Sequence, residues 1–127
     1  MTYSESDYRK RIVVVDDEVA IADTLQVLLA RDGIEVRVAY NGQEALEMVQ
    51  EERPHLVLSD VMMPVLDGRE LCRRLRADPA ICHIAIILMS ATHGRDVRQY
   101  GADGFIRKPF DLLDVTEVVD RLLASVE

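Results

Sequence analysis

The stretch RIVVVDDEVAIADTLQVLL, residues 11–29, decides the fold class. Its first part is a run of β-branched residues, which favours a strand. Its second part carries apolar residues on one helical stripe, namely Ile21, Leu25, Leu28 and Leu29. The stretch therefore predicts a buried strand followed by an amphipathic helix.

The same alternation continues towards the C-terminus. Short aliphatic runs predict five strands, at residues 12–15, 34–38, 56–58, 84–89 and 104–106. Amphipathic segments between and after them predict about five helices, one capped by Asn41 and another beginning near Asp67. Strands that alternate with helices imply right-handed crossovers. The expected fold is α/β, a doubly wound five-stranded parallel sheet of the flavodoxin-like type.

Length and composition indicate a single domain. The chain has 127 residues, of which 49% are hydrophobic, so it can bury a substantial core. Residues 1–10 are polar and without periodicity, and they are expected to form a flexible N-terminal lead-in. Residues 11–127 are expected to form the domain.

Charge and cysteine content narrow the classes of function. The 15 basic and 23 acidic residues give a net charge of -8, which disfavours direct nucleic acid binding. Cys72 and Cys82 are not in metal-ligand spacing and are expected to be free thiols. No apolar run approaches the length of a membrane span, so we expect a cytoplasmic protein without membrane contact.

The predicted strands end in polar residues. Asp16 and Asp17 follow the first strand, Asp60 the third, Ser90 the fourth and Lys108 the fifth. In an open parallel sheet, ligands bind at the carboxyl ends of the strands. Three carboxylates, a hydroxyl and an ammonium group are therefore expected at one edge of the sheet.

These groups suggest phosphoryl chemistry. Clustered carboxylates repel one another, and oxygen ligands of this kind favour Mg²⁺. An aspartate such as Asp60 can act as a nucleophile and form an aspartyl phosphate. Lys108 and the metal would neutralise charge on the transferred group, while Ser90 would donate to one of its oxygens. Taken singly, each residue also has an ordinary explanation as a helix cap, a turn residue or a solvated side chain.

Four motifs resemble the receiver domains of bacterial response regulators in two-component signalling. They are VVVDDE (13–18), LVLSDVMMPVLDG (56–68), ILMSA (87–91) and GADGFIRKPF (101–110). The resemblance implies that Asp60 is the phosphoacceptor. It also implies that Asp16, Asp17, Asp60 and the Met62 backbone carbonyl hold Mg²⁺.

The resemblance further assigns the switch and the partners. Ser90 corresponds to the switch hydroxyl, Phe105 to the switch aromatic and Lys108 to the lysine that pairs with the phosphoryl group. A cis peptide is expected before Pro109. The implied phosphodonor is a histidine kinase or a histidine phosphotransfer protein, and the signal passes to a downstream protein target. The chain would be a monomer or a phosphorylation-dependent dimer.

The sequence departs from the family pattern in two places. Only ten residues separate Ser90 from Gly101, fewer than is usual in the family, so the fourth helix is expected to be short or remodelled. Met62 places an apolar side chain near the acceptor, where a polar one could position an attacking water. A long-lived phosphoryl group is therefore expected. His55, His83 and His93 are expected to be surface residues.

Two other functions compete with this interpretation. A phosphatase of the haloacid dehalogenase class would need a second aspartate two residues after the acceptor, where this chain has Met62. A pseudo-receiver would keep the fold as a protein-interaction module but take no phosphoryl group. The retained acidic residues and Lys108 favour the phosphorylated receiver, which is not an enzyme apart from its own phosphorylation and slow dephosphorylation.

Overall fold

The computed structural model describes residues 10–31, 33–91 and 97–125. Its strands are β1 (Lys10–Val15), β2 (Ile34–Ala39), β3 (Leu56–Asp60), β4 (Ala85–Ser90) and β5 (Gly104–Arg107). Its α-helices are α1 (Val19–Leu29), α2 (Gly42–Glu52), α3 (Gly68–Ala77) and α4 (Leu112–Ala124). A short 3₁₀ helix spans Val97–Tyr100.

The five strands form one parallel sheet in the order β2-β1-β3-β4-β5. All residues of β3 and β4 are buried, as expected for strands covered on both faces. The predicted doubly wound α/β fold is confirmed. Each predicted strand is present, and the observed boundaries differ from the predicted ones by at most two residues.

Alternate residues of each strand enter two different cores. Val13 and Val15 of β1 pack with residues of α2 and α3 on one face. Ile12 and Val14 pack with residues of α1 and α4 on the other. We call these the α2–α3 core and the α1–α4 core. Because β-strand side chains alternate between faces, one β-branched run serves both cores at once.

The helix starts agree with two of the sequence predictions. The side chains of Asn41 and Asp67 cap α2 and α3 by accepting the backbone N–H of Glu44 and Glu70. The expectation of about five helices needs correction within the described residues, which contain four α-helices and the 3₁₀ helix. That 3₁₀ helix lies in the segment expected to hold a short fourth helix, and residues 92–96, including His93, lie outside the described part.

Several smaller predictions can also be compared with the structure. Cys72 is buried and Cys82 exposed, both as free thiols, and burial raises the pKa of Cys72 to about 11. His83 is exposed as expected, but His55 is only partly exposed because its ring accepts a backbone hydrogen bond. The expected lead-in lies outside the described residues except for Lys10, which begins β1. No helix within the described ranges is long and apolar enough to cross a membrane.

Candidate functional site

Polar residues meet at one edge of the sheet. Asp16 and Asp17 follow β1, Asp60 ends β3, Ser90 ends β4 and Lys108 follows β5. These four strands are adjacent and parallel, so their carboxyl ends lie side by side. The structure therefore brings together the five residues that the sequence placed at strand ends.

Three carboxylates form the centre of this group. Asp16, Asp17 and Asp60 each offer one oxygen, and these oxygens all lie within 4.8 Å of one another. Asp16 is fully buried and Asp60 is 6% exposed, whereas Asp17 is exposed. Mg²⁺ takes a few carboxylate oxygens and keeps several waters, which the exposed side of the cluster can admit. The donor set therefore fits Mg²⁺.

Lys108 joins two of the carboxylates. Its Nζ lies 3.1 Å from Asp16 Oδ2 and 3.3 Å from Asp60 Oδ1. Its backbone N–H donates to the Ser90 carbonyl at 2.8 Å, and the peptide bond to Pro109 is cis, as expected. Burial works against the ammonium form, but the hydrogen bond and charge of Asp16, with those of Asp60, outweigh it and raise the Lys108 pKa. The ammonium is thus held in its charged form beside the Asp60 carboxylate.

The Asp60 carboxyl is in a less favourable environment for its charge. Burial, followed by the charge of Asp16, raises its pKa, and Lys108 opposes this rise only in part. A second cation among the carboxylates would offset the remaining repulsion. The electrostatics of the site thus favour binding of a divalent cation.

The loop after Asp60 folds back, so that its last residues contact the end of β3. The N–H of Gly68 donates to the Val61 carbonyl at 2.8 Å. A Cβ atom at position 68 would lie 2.3 Å from the Asp60 carbonyl oxygen, so only glycine fits. Helix α3 therefore begins in direct contact with Asp60. Met62, between these positions, is 67% exposed.

The loop after β1 is shaped by an aspartate rather than by the helix cap itself. Glu18 is the N-cap of α1 but makes no side-chain capping bond. The backbone N–H of Glu18 instead donates to Asp16 Oδ1 at 2.9 Å, while Asp16 Oδ2 accepts from Lys108. Asp16 thus orients both the start of α1 and the lysine, and the side chain of Glu18 does not cap the helix.

The two predicted switch residues lie on neighbouring strands. Ser90 is buried at the end of β4 and pairs in register with Arg107 of β5. Phe105 pairs with Leu88, is partly buried, and packs against the α2–α3 core. The hydroxyl is thus at the site edge, while the aromatic ring lies further along the sheet towards α3.

A cleft opens beside Lys108. It is lined by Ile21 of α1, by Ala91 after β4, and by the run Lys108, Pro109 and Phe110. Ala91 is exposed and has only a methyl side chain. The cleft therefore gives a largely apolar approach to the charged site.

Sequence reasoning gave no role to Tyr100, Arg76 or Val65. The Tyr100 ring lies under Arg73 of α3, and Arg76 of the same helix donates to the Gly101 carbonyl. Val65 has a positive φ of 73°. The arginine spacing in α3 was a visible signal of a basic helix face. Which residues that face contacts could not be predicted, because such contacts depend on tertiary packing.

Comparison with known proteins places the chain in a defined group. A family model described as the response regulator receiver domain matches residues 12–120. Among solved structures, the signal receiver domain of a signal transduction histidine kinase from Syntrophus aciditrophicus is 36% identical, with a TM-score of 0.84. That match covers 93% of this chain and 92% of the other.

Two further similar structures differ in how much of their own chain the match covers. The chemotaxis response regulator CheY4 of Vibrio cholerae is 27% identical with a TM-score of 0.83, covering 89% of this chain and 98% of that chain. NtrX from Brucella abortus is 30% identical with a TM-score of 0.80, covering 92% of this chain but 27% of that chain. The same fold thus occurs as nearly a whole chain and as part of a longer one.

Proposed function

This chain belongs to the response regulator receiver domain family, and on that basis we propose that Asp60 accepts a phosphoryl group from a histidine kinase or a histidine phosphotransfer protein. The observation that carries the proposal is the position of the Lys108 ammonium, which contacts both Asp60 and Asp16. It lies where negative charge on a transferred phosphoryl group would need neutralisation.

The proposed reaction is a direct transfer. An Asp60 carboxylate oxygen attacks phosphorus, the P–N bond of the donor phosphoimidazole breaks, and its electron pair remains on the imidazole nitrogen, which then takes a proton. The charged Lys108 stabilises the phosphoryl oxygens, and Ser90 donates its hydroxyl hydrogen to one of them. The chain is therefore not an enzyme towards an external substrate, and it catalyses only its own phosphorylation and slow dephosphorylation.

Mg²⁺ is the proposed cofactor. Asp16, Asp17, Asp60 and the Met62 backbone carbonyl would hold it, and it would neutralise charge on the transferred group. The close approach of the three carboxylate oxygens and the raised pKa of Asp60 support this assignment.

The proposed output is a change of surface. A phosphoryl group on Asp60 would draw the Ser90 hydroxyl inward and leave space for the Phe105 ring to turn. A downstream protein would then recognise the altered face of β5 and its neighbouring helices. The signal depends on that protein binding one state more tightly than the other. The strongly acidic charge supports a protein target rather than direct nucleic acid binding.

The decisive experiment measures intact mass after incubation with acetyl phosphate. We expect one added phosphoryl group with Mg²⁺, and none in EDTA or in an Asp60→Asn variant. Asp120→Asn, which removes an exposed carboxylate on α4, is the matched control and should be modified like the parent. If no condition, including a panel of histidine kinases, adds a phosphoryl group, the unphosphorylated pseudo-receiver becomes the better interpretation.

A further inference from the structure

Helix α3 carries a row of arginines on one face. Arg69, Arg73 and Arg76 are spaced four and three residues apart, so their side chains leave the helix on the same side. We call these three residues the arginine clamp. Arg69 and Arg73 contact Tyr100, the last residue of the 3₁₀ helix, and Arg76 contacts the segment that connects this helix to β5.

The first contact of the clamp is with an aromatic ring. The Cζ atom of Arg73 lies 4.9 Å from the centroid of the Tyr100 ring, and that of Arg69 lies 5.9 Å from it. Both distances are within the range of cation–π attraction. Tyr100 is partly buried and packs against the α2–α3 core, so the ring has the core on one side and guanidinium groups on another.

The second contact is a set of hydrogen bonds from Arg76. It donates to the Gly101 carbonyl at 2.8 Å and to Asp103 Oδ2 at 2.7 Å. Asp103 Oδ2 also accepts the backbone N–H of Ile86 at 2.9 Å. At Gly101, with φ of 90°, a Cβ atom would lie 2.8 Å from Arg76 Cγ. The chain leading into β5 is thus fixed both to α3 and to β4.

The start of α3 lies at the proposed phosphoacceptor. Gly68, its first residue, contacts the Asp60 carbonyl so closely that no side chain fits there. Along the following two turns the same helix contacts Tyr100 and Gly101. Phe105, the proposed switch aromatic, follows Tyr100 by only five residues. One rigid element therefore connects the acceptor with the segment that precedes the switch.

We propose that the arginine clamp stabilises the unphosphorylated conformation and so sets how readily Asp60 accepts its ligand. The inference rests on the proposed function, because it concerns the regulation of the same site. Tyr100, Ala102 and Phe105 all pack against the α2–α3 core, so a turn of the Phe105 ring changes the surface on which the clamped segment rests. If the clamp holds that segment more tightly in the resting state, part of the binding free energy at Asp60 is spent on releasing it.

The test uses beryllofluoride with Mg²⁺, a stable mimic of the phosphoryl group, and measures its affinity by titration calorimetry. Arg73→Gln removes the nearer guanidinium from Tyr100, and Arg74→Gln is its matched control. Both arginines bond to Glu70, at 3.0 and 3.3 Å, but only Arg73 lies over the ring. We expect Arg73→Gln and Tyr100→Leu each to bind about two- to fivefold more tightly, and Arg74→Gln to bind like the parent.

A double variant separates the clamp from general loosening. With Arg73→Gln and Tyr100→Leu combined, the gain should not exceed that of Tyr100→Leu alone, because Tyr100→Leu already removes the contact that Arg73→Gln removes. A merely structural contact would lower the melting temperature without raising affinity. Unchanged or weaker binding in the single variants, with a parent that does bind beryllofluoride, overturns the inference. A parent that binds none, while remaining folded, instead counts against the proposed function.

Discussion

Val65 is held in a backbone conformation that its side chain disfavours. Its φ is 73°, and the carbonyl of Pro64 accepts the N–H of Leu66 at 2.8 Å across it, which closes a three-residue turn. A β-branched residue at positive φ is strained, and the surrounding structure must impose it. Here Leu66 packs on α2, where a Cβ atom at Gly42 would lie 2.0 Å from the Leu66 carbonyl oxygen. The loop after Asp60 is therefore tightly fixed between two helices.

Replacing Val65 by glycine should stabilise the protein. The substitution relieves strain of about 1–3 kcal/mol and costs about 0.5–1 kcal/mol in unfolded-chain entropy, for a net gain of about 1 kcal/mol. The 81% exposed side chain loses little packing when it is removed. Urea unfolding measures the free energy, and Val27→Gly, at an exposed position inside α1, should destabilise instead. A destabilised Val65→Gly protein would show that the turn is not strained.

Met62 should control how long the phosphoryl group survives. Its exposed side chain is apolar and lies two residues after Asp60, so it cannot hydrogen-bond an attacking water. Met62→Asn supplies an amide there and should shorten the lifetime on the order of tenfold, through better positioning of water. Intact mass followed over time after removal of acetyl phosphate measures the decay. Met62→Leu is the apolar control, and an Asn variant no faster than the parent would refute this explanation.

Some residues of the site could be predicted from the sequence, and others could not. Asp16, Asp60 and Lys108 were predictable because a polar residue directly after a buried strand must lie at the strand end, and parallel strands share that edge. The strain at Val65 was not, because nothing in its residue type suggests a positive φ. The contacts of Arg76 were also beyond prediction, since they join residues 25 positions apart through side-chain geometry alone.

At the scale of elements, apolar runs predicted strands better than they predicted strand ends. The run at residues 56–58 was extended by Ser59 and Asp60, which are polar but remain in the ladder with β4. The start of helix α1 was hard to predict for a different reason. It is fixed by the side chain of Asp16, which lies outside the helix, rather than by the side chain of its own N-cap residue. Local patterns identify an element, whereas its boundaries depend on neighbouring elements.

His55 lies just before β3, at the amino-terminal ends of the strands and opposite the site. Its hydrogen bonds connect β1, β3 and β4 there. Its Nδ1 accepts the backbone N–H of Arg11 at 3.0 Å, its own N–H donates to the Arg11 carbonyl, and its carbonyl accepts from Ala85. Burial, then the charges of Lys10, Arg11 and His83, lowers the His55 pKa. Protonation of Nδ1 would remove the acceptor and break the bond between the starts of β1 and β3.

This bond predicts a pH dependence of stability. With a folded-state pKa below the unfolded value of 6.5, the unfolded chain takes up the proton first. The stabilisation is therefore complete above pH 6.5 and is lost as the pH falls from there to the lowered pKa. His55→Asn, whose amide oxygen can accept the same N–H, should be less sensitive over this window than the parent in urea unfolding. His83→Asn is the control, and equal pH profiles for parent and His55→Asn would exclude the mechanism.

At the scale of the whole molecule, repulsion among the three carboxylates of the site opposes folding, and a bound divalent cation would reduce that repulsion. The chain already carries a net charge of -8, and three of its carboxylates converge beside a single ammonium. The raised Asp60 pKa means that the ionised side chain costs stability at neutral pH, and this loss would be regained as the pH falls through that pKa. The charge arrangement that we propose for phosphoryl transfer thus makes the cation-free protein less stable.

Two linked changes in stability should follow. Asp60→Asn removes the repelled charge and should raise the melting temperature without Mg²⁺ by a few degrees, for a gain on the order of 1 kcal/mol. Mg²⁺ at about ten times its dissociation constant should stabilise the parent by about 1.4 kcal/mol, and the variant by less, because one ligand is lost. Thermal unfolding with and without Mg²⁺, at ionic strength matched with NaCl, measures both. Equal Mg²⁺ stabilisation of the two proteins would place the cation away from Asp60. A lower melting temperature for the variant without Mg²⁺ would mean that Lys108 already compensates the charge of Asp60.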